Sequence, residues 1–171
     1  MVMGPALKQN YPEVEEAVRV DSHSANYLFT VGEKKLIEHG FIVDSGFLSM
    51  FDFPMLYGNP TKALDGIYNI VLTEKLAKTL FGNENAMGKT IKIDSSDIFT
   101  VSGVIKDLPN TTSFQFDYLL PFAYLHKLKQ DDDVWDNNQL STYILLKQNA
   151  SQSAFNAKVK NITIDHTKNS G

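Results

Sequence analysis

The chain has 171 residues, of which 43% are apolar, 11% aromatic and 21% charged, a balance that suits a folded protein and excludes an intrinsically disordered one. The formal charge is −4 and Arg19 is the only arginine among 16 basic residues, which argues against a nucleic-acid face built on guanidinium forks. Cysteine is absent, so a thiol nucleophile, a thiolate zinc site and a disulfide framework are all excluded.

A chain of this length makes one domain, or two small lobes sharing a backbone, and can bury a core without a metal or disulfide staple. Its longest apolar stretch, Tyr118 to Leu125, contains Pro121 and falls far short of the roughly 18 residues of a membrane span. Met1 to Asn10 lacks the charged start and apolar block of a signal peptide.

In chain order, Tyr11 to Glu16 reads as a short helical turn, with Pro12 at its first position and three carboxylates at the positive end of the helix dipole. Val18-Arg19-Val20 starts a strand. Tyr27 to Val31, the turn Gly32 to Lys35 and the extended run Leu36 to Val43 form a hairpin. Asp44-Ser45 is placed to cap a short helix carrying Phe47, Leu48, Met50 and Phe51, and Gly58-Asn59-Pro60 breaks the chain after Tyr57. Ile70 to Leu72 is a buried strand. Thr73 caps the most regular helix, Glu74 to Phe81, with Leu76, Ala77, Leu80 and Phe81 on one face and Gly82 as its stop. Thr90 to Asp94, Phe99 to Ile105, Phe116 to Pro121 and Thr142 to Leu146 are further strands, and Ser151 opens a last helix that precedes a polar tail. Strands outnumber helices and do not alternate with them, so the expected class is α+β.

Several strings invite a chemical reading. Gly82 to Thr90 looks like a phosphate-binding loop, but a helix precedes it and a strand follows, the reverse of the order that aims helix amides at an anion. The better reading is a helix stop at Gly82 and a turn at Gly88. His23, His39, His126 and His166 lack metal-site spacing and read as solvated surface residues. Asp131 to Asp133 with Asp136 lack the alternate spacing and glycine of a calcium loop and read as an acidic turn. No serine sits in a nucleophile elbow, and Ser102 reads as a ladder residue. Phe47, Phe51, Phe53 and Tyr57 are expected to pack a core rather than line a ligand groove. No catalytic, cofactor-binding or metal-ligating residue emerges, no cofactor is implied, and no residue is assigned to a partner contact.

Four ordered blocks carry a family likeness. They are Tyr11-Pro12-Glu13-Val14 with Val18-Arg19-Val20; Val43 to Phe51 running into Phe53 to Pro60; Ile70 to Lys78 with Phe81-Gly82 and Gly88 to Ile91; and Phe99 to Pro109 with Phe116-Asp117 and Leu120-Pro121. Over about residues 5 to 160 the chain resembles the extracytoplasmic (periplasmic) core domain of MacB-like and FtsX-like ABC transporter permeases. The resemblance implies a two-lobed domain lying between two transmembrane helices of an inner-membrane parent protein. A βαβ-rich porter-like lobe would span about residues 1–64 and 121–171, with an inserted strand-rich (sabre-like) lobe at about 65–120. It further implies a non-enzymatic role in transport or efflux, contacting cargo or a periplasmic adaptor. Motion would be coupled to a cytoplasmic ATPase and a second permease subunit, with the membrane reached through segments outside this chain. A free-standing periplasmic binding or chaperone module is the alternative.

Overall fold

The computed structural model describes residues 2–23, 25–94, 96–130, 135 and 140–167. Their alternating and apolar runs form β1 (Val14–Asp21), β2 (Asn26–Val31), β3 (Lys34–Val43), β4 (Met55–Gly58), β5 (Asn69–Thr73), β6 (Thr90–Ile93), β7 (Asp97–Ile105), β8 (Tyr118–Pro121) and β9 (Ser141–Leu146). The helices are α1 (Met3–Asn10), α2 (Phe47–Met50), α3 (Glu74–Phe81), α4 (Ala123–Leu128), α5 (Gln152–Val159) and α6 (Ile162–Thr167). The mixed composition agrees with the α+β expectation.

All nine strands belong to one sheet, in the order β2-β6-β7-β5-β8-β3-β1-β9, with β4 added alongside β7. Because β2 also pairs with β3, the run β2-β6-β7-β5-β8-β3 returns to its start and closes a six-stranded ring. Two of its contacts, β3 with β8 and β5 with β7, are parallel. Every strand of the ring sends side chains into one shared core, including Phe29, Ile42, Ile70, Ile91, Phe99 and Tyr118, and α3 and α4 add Leu76, Leu80 and Leu125.

The side-chain period of two explains why the central strands read as unbroken apolar runs. Ile42, Ile70, Leu72, Tyr118 and Leu120 face the ring core. Their neighbours Phe41, Val43, Val71 and Leu119 face a second core under α2, shared with Val18, Val20, Phe47 and Phe114. A third, smaller cluster joins Leu7 of α1 and Phe155 of α5 to Val14 and Ala17. Gly40 is required where the ring closes, because a Cβ there would lie 2.5 Å from the ring of Tyr118. The Tyr118 hydroxyl then donates to the Ala25 carbonyl at 2.9 Å, and burial holds this phenol far above its ordinary pKa.

Two local expectations change. The turn expected at Tyr11 to Glu16 is not helical: the helix lies upstream at Met3–Asn10, and from Val14 the chain is committed to β9, pairing Val14 with Leu146. Burial of alternate residues outweighs the local dipole preference. Nor does the Asp44 side chain cap α2. Its carbonyl accepts from the Phe47 N–H, and its carboxylate turns to Arg19 instead. The α3 cap is as expected, with Thr73 Oγ1 accepting from the Leu76 N–H at 3.3 Å and Gly82 leaving the helix at φ +66°. Thr73→Ala is expected to cost about 1 kcal/mol, read as a lower urea midpoint with an unchanged slope.

Candidate functional site

β1 and β3 pair at Val20 with Val43 and at Asp21 with Ile42. One step further along this antiparallel ladder, Arg19 meets Asp44, the first residue beyond β3. There the strand pairing passes into side chains. The Asp44 N–H donates to the Arg19 carbonyl at 3.1 Å, and the Arg19 N–H donates to Asp44 Oδ2 at 2.8 Å. The guanidinium closes the fork, with Nε to Oδ2 at 2.9 Å and Nη2 to Oδ1 at 2.8 Å. Its central carbon sits 3.7 Å from the ring centre of Phe122, the residue that follows β8. One side chain thus ties together the ends of β1, β3 and β8, and it is only 12% exposed. Charge-assisted, bidentate and stacked contacts are what a guanidinium supplies and an ammonium does not.

Around this pair lies an open groove of about 620 Å³. Pro5 and Lys8 of α1 form one wall, Gly46, Ser49 and Met50 in and beside α2 form the other, and Glu16, Ala17 and Arg19 of β1 run along the floor. A smaller cavity of about 310 Å³ shares Arg19, Asp44 and Ser45 and extends the groove to Asp65, Phe122 and His126. Lys8 pairs with Glu16 across the groove. Arg19 and Asp44 are committed to one another, an arrangement suited to holding elements in register and presenting a polar surface. The resemblance gave no signal for this pair. The sequence clue is slight, a lone arginine inside one strand and an aspartate at the end of another, and only the β1–β3 register joins them.

The residues singled out in the sequence are dispersed. His23, His126 and His166 are exposed and His39 half-buried. His39 packs edge-on against Phe41, and His126 packs edge-on against Phe122. His166 stacks on Trp135 at 4.0 Å. Asp131 to Asp133 and Asp136 lie outside the described residues. No group of His, Asp or Glu able to hold a metal occurs among the described residues. Gly82 to Thr90 runs from α3 into β6, with Gly88 at φ +75°. Ser102 is a β7 residue, as expected, and its hydroxyl donates to the carbonyls of Ala63 and Ile70 at 2.6 and 3.1 Å, pinning the loop before β5. Phe47, Phe51 and Phe53 belong to the second core, whereas Tyr57 is 53% exposed on β4.

A second polar cluster holds α4 to β7. Asp97 accepts from Lys127 Nζ at 2.9 Å and from the Tyr124 hydroxyl at 2.7 Å. These hydrogen bonds, that from Lys127 first, hold the Asp97 carboxyl below the usual aspartate range. Burial first and the Asp97 hydrogen bond second push Tyr124 upward. Because folding lowers the Asp97 pKa, this cluster stabilises the fold above the unfolded value of about 3.9, and that contribution is lost as pH falls through the lower folded value. At pH 7, Asp97→Asn is expected to melt earlier than the parent chain. Thermal melts of the two should converge as the pH is taken from 5 towards 2, on the order of the range that linkage sets. A constant gap would show that Asp97 acts without its charge.

The profile of the family described as "MacB-like periplasmic core domain" matches residues 2–162. The chain belongs to this family. Solved structures agree on the fold. This MacB-like domain is similar to a domain of a putative permease protein from Porphyromonas gingivalis, with a TM-score of 0.79 and 23% identity over 96% of this chain and 69% of that one. It is similar to the periplasmic region of MacB from Actinobacillus actinomycetemcomitans, with a TM-score of 0.70 and 15% identity over 96% and 72% of the two chains. It also resembles the extracellular domain of the noncanonic ABC-type transporter YknZ from Gram-positive bacteria, with a TM-score of 0.65 and 14% identity over 92% and 80%. None of the curated proteins compared with the sequence matches it. MacB-like periplasmic core domains are extracytoplasmic portions of ABC transporter permeases, which work with ATPase subunits. Among the described residues of this one, no helix is long and apolar enough to cross a membrane.

Proposed function

We propose that this MacB-like domain is a non-enzymatic, periplasmic part of a permease subunit that contacts cargo or a partner protein and moves with ATP hydrolysis by a separate cytoplasmic subunit. The family match over residues 2–162 carries this reading. The closed ring of strands and the Arg19–Asp44–Phe122 junction support it, because a domain that relays motion must move as a stiff body rather than absorb displacement in its loops. In the parent permease two copies would stand side by side on membrane anchors, and closure of the ATPase below would change the space between them. Porter-like residues 1–64 and 121–171 and an inserted lobe at 65–120 remain our division of the chain, with β5, α3, β6, β7 and most of β8 carried by the insertion.

This chain brings no cysteine of its own to the labelling, and cysteines elsewhere in the assembly are replaced by serine. A single cysteine placed at Ile37, 75% exposed on β3, carries a spin label in the full permease–ATPase assembly in nanodiscs. The label-to-label distance distribution is expected to shift between ATP-bound and ADP-bound states. Identical distributions in both states would overturn the coupling, and saturable turnover of a substrate by the purified domain would overturn the non-enzymatic part.

A further inference from the structure

The floor of the groove is a strand edge whose pairing stops early. On one edge β1 pairs with β9 from Val14 to Val20, but on the other it meets β3 only at Val20 and Asp21. Backbone groups alternate between the two edges of a strand. The N–H and C=O of Arg19 both face Asp44, so those of Ala17, two residues earlier, face the same way, into the groove and away from β9. Among the described residues no strand pairs with Ala17 on that edge. Its N–H donates instead to Glu16 Oε1 at 3.0 Å, the carboxylate of the preceding side chain. This side chain occupies the place that a neighbouring strand's carbonyl takes in a ladder.

The surroundings fit one extended segment. The walls from α1 and α2 leave a trough of about 620 Å³ beside the edge, and an added strand needs about 4.8 Å of lateral room. Gly46 keeps the α2 wall low: a Cβ there would lie 3.3 Å from Val18 Cγ1 and 3.5 Å from Glu16 Cδ. Charge sets the chemistry of the occupant. Lys8 and Arg19 stand against Glu15, Glu16 and Asp44, and the adjoining cavity adds Asp65. When a carbonyl from an incoming strand takes the Ala17 N–H, the Glu16 carboxylate keeps its partner Lys8, and Glu15 and Asp65, which line the groove and its extension, stand where a lysine or arginine of that strand meets them.

We propose that the Ala17 edge of β1 accepts an extended, lysine- or arginine-bearing segment of a partner polypeptide as an added strand, with Glu16 as the placeholder it displaces. This deepens the function proposed above and rests on it in one respect, that the domain contacts another polypeptide.

The 171-residue chain is titrated against a fluorescein-labelled, end-blocked Lys-Val-Thr-Val-Lys-Val-Thr peptide, with anisotropy for affinity and amide exchange for the site. Expected are saturable binding, slowed exchange at the Ala17 amide, and binding about threefold tighter in Glu16→Ala, where the competing acceptor is gone. Ala17→Pro, which removes the donor at an edge position that tolerates proline, should abolish binding while leaving the circular dichroism unchanged. A peptide N-methylated at alternate residues should fail to bind, and one with Glu in place of Lys should bind more weakly. The proposal is overturned by any of four outcomes: no saturation at millimolar peptide, equal binding of the N-methylated peptide, equal binding of the acidic peptide, or Ala17 protection that arises from dimerisation of the chain itself. If Ala17→Pro unfolds, the Glu16→Ala and N-methyl arms decide. ATP-dependent label distances in the full permease do not involve this peptide, so failure here and failure of the coupling are separable.

Discussion

Phe47→Ala is expected to cost about 3–5 kcal/mol, the range for emptying a packed aromatic site. Phe47 is fully buried and lies at the centre of the second core. Its ring centre lies 5.1 Å from Phe51, 5.2 Å from Phe53 and 5.2 Å from Phe114, the last edge-on at 83°. Each such pair adds about 0.5–1.5 kcal/mol beyond the area buried. Phe51 and Phe53 share its segment, but Phe114 and Phe116 reach it from the stretch before β8, so the rings cannot all collapse together into the void. Phe51→Ala, at a partly exposed position, should cost clearly less. Urea unfolding measures both: the Phe47 variant should lose much of its midpoint at constant slope. Equal losses in the two variants would refute the ranking.

Removing either partner of the Arg19–Asp44 fork should cost about 3 kcal/mol or more, because the remaining charge stays largely buried without its mate. Both side chains are well covered, at 12% and 23% exposure. The carboxylate also serves the Arg19 backbone N–H, so Asp44→Ala removes the acceptor of three Arg19 N–H groups. Arg19→Lys should recover less than half of the loss, since an ammonium cannot form the two-pronged contact or stack flat on Phe122. A double replacement, Arg19→Met with Asp44→Leu, should be milder than the sum of the singles. Melting temperatures of Arg19→Met, Asp44→Leu and their double decide it, with Asp44→Ala and Arg19→Lys beside them; strictly additive losses in the first three would show that the two side chains act independently.

Much of the architecture is legible in the chain itself. The Tyr27–Val43 hairpin, the capped α3 and the apolar runs at Ile70 and Tyr118 each announce their element locally, through a turn, a cap or a period. The ordered blocks from Tyr11 to Pro121 announce the family. What stays hidden depends on long-range register. Nothing near Arg19 in sequence indicates Asp44, because their meeting follows from how β1 slides along β3. The same holds for Asp97 and Lys127, and for Glu16, whose turn back onto the Ala17 amide depends on β3 ending at Val43. Helix α1 has little local signal, because its eight residues carry only a weak apolar stripe and are held chiefly by packing of Leu7 on β1 and α5. Asp44 read as a cap because capping is a local habit of aspartate; a stronger, distant partner overrides it.

The closed ring also governs how the molecule is born. Its parallel seams join Gly40 to Tyr118 and Asn69 to Thr100, so the first strands to leave the ribosome wait unpaired along one edge until the last arrive. Non-local closures of this kind slow folding and lengthen the time that unpaired edges are open to wrong neighbours. The β3–β8 seam can zip only once residues near position 121 have emerged, and β1 waits longer still, for β9 at Ser141 to Leu146.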